Sequence, residues 1–418
     1  MAAEPLVIVG AGQAGGRAAL TLREAGHEGP IVLLGAEAAA PYERPPLSKD
    51  YLAGGRDRAS LAVASAEALR EAGIDFRPAT VVEAIDRAAH EVVLEGGERL
   101  AYGKLLLATG REPRRLPVPE DVAPHARVLR DLDDADALRT RLARGSRLAI
   151  VGGGFIGLEV AATAWARGVD VTVIELLPRL LARAVPEPLA AKLQHRHEAA
   201  GVDIRLGRRI EGLRAAGEAV RLVLDDGHEI VADTLLVGIG AVPRTGLAEA
   251  AGLAVEGGIL VDATLRTSDP DIYAAGDVTA FADPRTGTRQ RLESWDNAEA
   301  QGALAARNML GAGEALDRLP WFWSDQYELT LQMAGQMAGQ VTGDGAVIER
   351  RIGDDGLVLF HLDEAGRIAA VSALGPSSIA KEFKLAQRLA EGRKRVDPAS
   401  LEDPKTSLKA LLRRGGDQ

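Results

Sequence analysis

Val7-Ile8-Val9-Gly10-Ala11-Gly12-Gln13-Ala14-Gly15 and Ala149-Ile150-Val151-Gly152-Gly153-Gly154-Phe155-Ile156-Gly157 are two versions of one pattern in a chain of 418 residues. Each is a short apolar run that fits a buried parallel strand, followed by glycines at spacing one, three and six and then by an alanine-rich helical stretch. Glycines at this spacing allow a tight turn, let the backbone come close to a pyrophosphate and let the helix pack on the strand, so that the helix N-terminus faces the phosphates. One such turn is a weak signal. Two in one chain point to two dinucleotides, and the simplest chemistry for two dinucleotides is electron transfer between them.

Outward from the first turn, the run Ile31 to Gly35 reads as a second strand, and Leu105-Leu106-Leu107 as a later one that ends at Ala108-Thr109-Gly110. The Arg- and Pro-rich stretch 111–124 reads as a boundary. The strand–helix pattern then restarts, with strands expected at Leu148 to Val151 and Val171 to Glu175 and an apolar run at Thr234 to Ile239. The expected architecture is α/β. Two Rossmann-like dinucleotide-binding domains, one formed by 1–112 with 241–320 and split by the other at 113–240, are followed by an α+β domain at 321–418.

At 46% apolar and 26% charged, the composition is that of an ordinary globular enzyme with room for two or three domains. The first strand begins within about five residues of Met1, too soon for a secretory leader, and no apolar run approaches the roughly 18 residues of a membrane span. A cytoplasmic protein with no membrane partner is expected. Cysteine is absent. The chain can therefore hold no disulfide redox pair, no cysteine peroxidase centre and no cysteine-ligated iron–sulfur cluster, and any redox work runs through a bound organic cofactor. The seven histidines are scattered. His195 and His197, two apart, point to different faces of a helix, and no metal site is expected. A net charge of −10 with 4% aromatics argues against a nucleic-acid partner.

The acid that closes the second strand of a dinucleotide fold accepts hydrogen bonds from the adenosine ribose. In the second copy that acid is Glu175, which favours the 2′-hydroxyl of NADH and repels the 2′-phosphate of NADPH. Arg179 and Arg183 nearby have the chemistry to meet a phosphate, to grip the pyrophosphate or to face solvent. In the first copy the strand ends at Gly35, and the nearest acid, Glu37, comes two residues late; it is either the ribose ligand or a solvated loop charge. Pro41-Tyr42-Glu43-Arg44-Pro45-Pro46-Leu47-Ser48-Lys49 has three prolines and two cations, fit either for a rigid wall against a ring and a phosphate or for a surface turn. Asp277 follows a strand and a glycine, where it can accept a hydrogen bond from a polyol chain, and Thr109-Gly110 end another strand in the same style. These segments fit a flavin better than a second nicotinamide.

Taken together, the segments resemble the two-dinucleotide, glutathione-reductase-like flavoprotein oxidoreductases, and within them the NADH-dependent ferredoxin reductases of bacterial oxygenase systems. The resemblance rests on the proline loop, the run Gly152 to Glu159, Tyr273 to Asp277, Glu293-Ser294-Trp295-Asp296-Asn297 and Pro320-Trp321-Phe322-Trp323-Ser324-Asp325-Gln326. It implies FAD on Gly10, Gly12, Ala14 and Gly15, with Arg44 and Lys49 along the flavin and Val82 at the adenine. It further implies Arg130 near the FAD, Asp277 on the ribitol and Trp295 presenting backbone to the ring, with Glu37 as a substitute for the family's earlier acid, where this chain has Ala36. On the NADH (NAD+) side it implies Gly152, Gly154, Ile156, Gly157, Glu159, Glu175, Arg183 and Gly238. Lys49 and Glu159 would form a catalytic ion pair at the nicotinamide; the plainer role for Glu159 is to brace its helix.

With no thiol inside, the electrons must leave. A flavin can release a hydride's two electrons singly, which suits a two-iron, two-sulfur ferredoxin feeding a cytochrome monooxygenase or a ring-hydroxylating dioxygenase. Lys381, Lys384 and Arg388 recur at helical spacing opposite Ile379, Phe383 and Ala386, and the stretch 381–414 holds ten cations against five acids. This segment and Trp323 are the expected docking surface for an acidic ferredoxin on a monomeric enzyme, although a solvated helix face and a packed tryptophan are the plainer alternatives. An NADH oxidase or quinone reductase and an apoptosis-inducing-factor-like NADH sensor share parts of the pattern.

Overall fold

The computed structural model describes residues 4–335 and 345–413. Their contacts divide them into two units, one formed by the chain up to Pro46 with Arg56–Glu112 and Ala241–Asp317, the other by Leu47–Gly55, Pro113–Gly240 and the chain from Arg318.

The first unit is built on a parallel sheet in the order Ile272–Ala274, Lys104–Leu107, Leu6–Val9, Ile31–Leu34, Ile74–Arg77. The Leu6–Val9 and Ile31–Leu34 strands are buried throughout, which is why their sequences are continuous apolar runs rather than alternating ones. Helix Gln13–Glu24 leaves the glycine turn and packs on helix Trp295–Met309. An antiparallel meander, Val82–Asp86, Glu91–Leu94 and Arg99–Ala101, is a separate small sheet.

The second unit repeats this plan. Its parallel sheet runs Asp203–Leu206, Asp170–Glu175, Arg147–Val151, Thr234–Val237, Ala126–Arg127, with the glycine-turn strand again third. A meander, Ile210–Ala216, Ala219–Leu224 and Glu229–Ala232, follows its parallel strands as in the first unit. The duplication thus extends from the turns to the order of four strands and a meander; the fifth strand follows the glycine turn in the first unit and precedes it in the second.

The rest of the second unit is an antiparallel sheet in the order Trp321–Gln326, Leu329–Ala334, Ile368–Pro376, Gly356–Leu362, Val347–Ile352. Helix Ile379–Glu391 lays Ile379, Phe383, Ala386 and Leu389 on this sheet and leaves Lys381, Lys384 and Arg388 exposed, as the helical spacing predicts. Arg414 lies outside the described residues. Arg350 is 2% exposed. Its guanidinium pairs with Glu382 at 2.7 Å and donates to the carbonyls of Leu401 at 3.1 Å, Asp403 at 2.6 Å and Thr406 at 2.8 Å, tying the last turns of the chain to the sheet.

Candidate functional site

The two glycine turns are superimposable in their chemistry. Gly10 and Gly152 have φ of 110° and 109°, a region that side chains disfavour. Their N–H groups donate to Leu34 and Ile174, both at 2.8 Å. A Cβ on either would collide with a neighbouring strand's carbonyl, that of Ala108 for Gly10 and that of Gly238 for Gly152. Gly12 and Gly154 are different. Each has ordinary backbone angles and caps its helix without a side-chain bond, and a Cβ there would meet no protein atom within 4 Å. Nothing in the protein requires glycine at these positions. The first-turn N–H groups of both helices have no intrahelical partners, and each open glycine leaves them accessible to an anion. This is the cradle that a dinucleotide pyrophosphate needs, so the residues present fit the pyrophosphate of FAD or of NADH at each turn.

In the first unit Glu37 is no isolated loop charge. Its carboxylate accepts from the Tyr42 hydroxyl at 2.6 Å and pairs with Arg44 at 2.5 Å, while Arg44 also donates to the Tyr42 oxygen at 2.9 Å. The acid and the proline loop are therefore one assembly. Asp277 lies 2.9 Å from Arg111, which also pairs with Glu293. Arg111 does not stand out as a site residue in the sequence, though it directly follows Thr109-Gly110, and Glu293 is marked there only as the start of the run through Trp295. The Gly276 N–H donates to Gln301 at 2.8 Å, fixing the turn before Asp277 to the helix that Trp295 opens. Thr109 donates its hydroxyl to the Arg244 carbonyl at 2.9 Å. Val82 starts the first meander strand opposite Leu94, and Ala14 is buried beside its glycine turn.

In the second unit Glu175 closes its strand and turns back onto the glycine turn, accepting from the Gly153 N–H at 2.6 Å and the Leu177 N–H at 2.8 Å. Arg179 donates to the carbonyls of Ala182 and Val185, both at 3.0 Å, and so braces its own loop, whereas Arg183 is exposed. Ile156 is 40% exposed at the start of the helix. Gly238 donates to the Val151 carbonyl at 2.8 Å. Arg130 also belongs to this unit; its N–H donates to Asp134 at 2.9 Å, beside the start of helix Leu132–Arg141.

Residues 47–55 group with the second unit, and this brings Lys49 to Glu159. The Nζ lies 3.3 Å from Glu159 Oε1 and 3.7 Å from Asp325, and it sits over the Trp323 ring at 5.4 Å from the centroid. The Glu159 side chain is 5% exposed. It accepts from Ser48 Oγ at 2.5 Å and Ser324 Oγ at 2.6 Å. Burial pushes its carboxyl above the ordinary value, and Lys49 and the two hydroxyls pull it partly back. Strand Trp321–Gln326 sorts the tryptophan segment by alternation: Ser324 and Gln326 are buried, while Trp321 stacks on Trp323 at 5.0 Å on the other face.

Residues 4–302 match the family model described as pyridine nucleotide-disulphide oxidoreductase, and 321–412 match one described as reductase C-terminal. The chain belongs to the pyridine nucleotide-disulphide oxidoreductase family. Among its relatives, the anthranilate 1,2-dioxygenase system ferredoxin–NAD(+) reductase component of Burkholderia cepacia is 43% identical over 99% of this chain and 100% of that protein. Putidaredoxin reductase of Pseudomonas putida is 37% identical over 97% of this chain and 96% of its own length. The solved covalent putidaredoxin reductase–putidaredoxin complex matches with a TM-score of 0.92 and 37% identity, covering 99% of both chains. The resemblance read from the sequence is thus borne out.

Membership in this family sharpens the meaning of the missing thiols. A pyridine nucleotide-disulphide oxidoreductase with no cysteine keeps the dinucleotide cradles and has no disulfide to reduce. Among the described residues no helix is long and apolar enough to cross a membrane.

Proposed function

We propose that this chain is the reductase component of an oxygenase system, a cytoplasmic monomer that carries electrons from NADH to a two-iron ferredoxin through bound FAD. The observation that carries the reading is the pair of open glycine cradles, at Gly12 and Gly154, in a family member without cysteine. FAD, when bound, would supply the chemistry of taking up a hydride and releasing electrons singly. Gly10, Gly12, Ala14 and Gly15 hold the FAD pyrophosphate, with Val82 at the adenine and Glu37, Tyr42 and Arg44 acting as one polar group. Asp277, positioned by Arg111, meets the ribitol, and Thr109, Gly110 and Trp295 complete this set. On the nicotinamide side Gly152, Gly154, Ile156, Gly157 and Gly238 form the cradle. Glu175 selects NADH, and exposed Arg183 is the cation left for the pyrophosphate once Arg179 is committed to its loop.

Lys49 is the positive group of the reacting region, and Glu159 fixes its ammonium. A carboxylate this buried holds its partner in one place, because separating the two charges would leave an uncompensated ion in a low-dielectric setting. Trp323 and the exposed face Lys381, Lys384, Arg388 are the docking surface for an acidic ferredoxin. The relatives support the partner class, since one is the ferredoxin–NAD(+) reductase component of a dioxygenase system and another was crystallised with putidaredoxin.

The test is direct. Purified protein that is yellow with FAD is mixed with NADH under nitrogen, and a two-iron ferredoxin with cytochrome c is added. Fast cytochrome reduction that depends on the ferredoxin is expected. Slow turnover with a persistent charge-transfer band would favour an NADH sensor instead.

A further inference from the structure

Glu159 does not end its hydrogen bonding at Ser324. The Ser324 oxygen receives the Gln326 side-chain N–H at 3.1 Å, the Gln326 oxygen lies 2.8 Å from His197 Nε2, and His197 Nδ1 lies 3.0 Å from the Tyr327 hydroxyl. These residues come from strand Trp321–Gln326, the residue after it and helix Glu187–Ala199, all in the second unit. His197 is fully buried.

The direction of every bond follows from the carboxylate. Glu159 accepts from Ser324, so the Ser324 oxygen is free to accept from the Gln326 amide nitrogen. That orientation turns the Gln326 carbonyl oxygen to His197, which must then carry its proton on Nε2. Nδ1 is left as an acceptor, and the Tyr327 hydroxyl donates to it. Burial pushes the Tyr327 hydroxyl to about 12, and burial with the neighbouring Arg196 holds His197 below the usual imidazole range. Tyr327 thus keeps its proton and His197 carries one. Four donors point the same way, toward one carboxylate.

We propose that Tyr327, His197 and Gln326 are positioning residues for the reaction, forming a polarised chain that locks the Ser324 hydroxyl as a donor to Glu159 and so sets the protonation of the carboxylate paired with Lys49. The inference rests on the function proposed above. A chain of this kind acts through a neighbour that could otherwise rotate: with Gln326 free to turn, the Ser324 hydroxyl loses its fixed direction and Glu159 loses a donor. The charged groups at the Glu159 end are Lys49 and Asp325, which pair with each other. At the Tyr327 end they are Arg196 and Glu328, paired at 2.7 Å with Arg196 4.0 Å from the Tyr327 ring centroid.

The experiment reads Glu159 itself. Holoenzyme labelled with 13C at the glutamate carboxyl is titrated by NMR without NADH, and the Glu159 signal is assigned by its loss in Glu159→Gln. Gln326→Met and His197→Phe should move the Glu159 midpoint upward by about one pH unit, a tenfold change in proton affinity, as should Ser324→Ala. If Ser324→Ala moves the midpoint and the other two leave it in place, the chain is overturned. Tyr327→Phe, which deletes one hydroxyl and keeps the ring, carries the test if either buried variant fails to fold; an upward shift of about twofold in proton affinity is expected, and an unmoved midpoint overturns the chain. The functional reading fails separately: Glu159→Gln with an unchanged rate of FAD reduction by NADH removes the role of Glu159 but leaves the titration shifts standing.

Discussion

Lys49 Nζ stands 3.3 Å from Glu159 Oε1, although one belongs to a proline-rich loop and the other to the helix that leaves the second glycine turn. Removing the cation leaves a buried carboxylate with two hydroxyl donors and no counter-charge. Lys49→Met should slow flavin reduction by NADH at least about tenfold in stopped flow, through lost orientation at the reacting atoms. An unchanged rate would refute a catalytic role for Lys49.

The same pair makes a prediction about pH. Burial raises the Glu159 carboxyl above its ordinary value, so the folded chain binds that proton more tightly than the unfolded one. Stability therefore falls as pH rises from the unfolded value through the raised folded one. Lys49→Met lifts the folded value further and widens this window upward. Urea unfolding should show the variant losing more stability relative to wild type at about pH 8 than at about pH 5, with a loss of about 3 kcal/mol at the higher pH.

The glycines of each turn separate folding from binding. Gly12→Ala and Gly154→Ala place a methyl group where no protein atom lies within 4 Å, so melting of the cofactor-free protein should barely change. Gly12→Ala should release FAD, and Gly154→Ala should raise KM for NADH. Gly10→Ala and Gly152→Ala, at φ of 110° and 109° and against a carbonyl, should destabilise the fold itself.

Glu175 accepts from the Gly153 N–H of the second turn and from the Leu177 N–H just beyond its own strand, besides the proposed ribose contact. Glu175→Ala leaves both without their acceptor, a cost of about 1–3 kcal/mol, and removes the negative charge. KM for NADH should rise roughly tenfold while the NADH to NADPH ratio of kcat/KM falls. A variant that keeps the wild-type ratio would remove Glu175 from cofactor selection.

Docking is tested by charge. Reversing Lys381, Lys384 and Arg388 to glutamate changes an exposed face whose opposite side is packed on the sheet. Ferredoxin reduction should drop about tenfold at low salt, with ferricyanide reduction unchanged, because exposed charges act chiefly on encounter. Equal loss with both acceptors would point to damage at the flavin rather than at the surface.

What was legible in the sequence is what short-range backbone chemistry dictates. The glycine turns, the strands that feed them and the acid closing the Asp170–Glu175 strand are local patterns, and each stands where its spacing predicts. Helical periodicity likewise separates His195 from His197, and the fold puts the first outside and the second inside. The partners of the key acids are not local. Arg111 reaches Asp277 and Glu293, and Ser48 and Ser324 reach Glu159, only because distant segments are brought together by the sheets. A serine or a glutamine two residues apart on a short strand carries no signal of its own until the helix opposite it is known. The role of Glu37 was open for the same reason, since Tyr42 and Arg44 meet it through the conformation of an irregular loop.

FAD and NADH have one half in common, adenosine diphosphate. In the proposed reading, two sheets that share the order of four strands, each with an open glycine after its third strand, are two receptors for that shared half. In the proposed reading, nothing in the turns themselves tells one dinucleotide from the other, and free ADP becomes a competitor at both ends of the electron path. In that reading identity is decided further along, by Arg44 and Asp277 on FAD, whereas Glu175 meets the shared adenosine ribose and separates NADH from NADPH. The duplicated scaffold grips, and a few side chains beyond it discriminate.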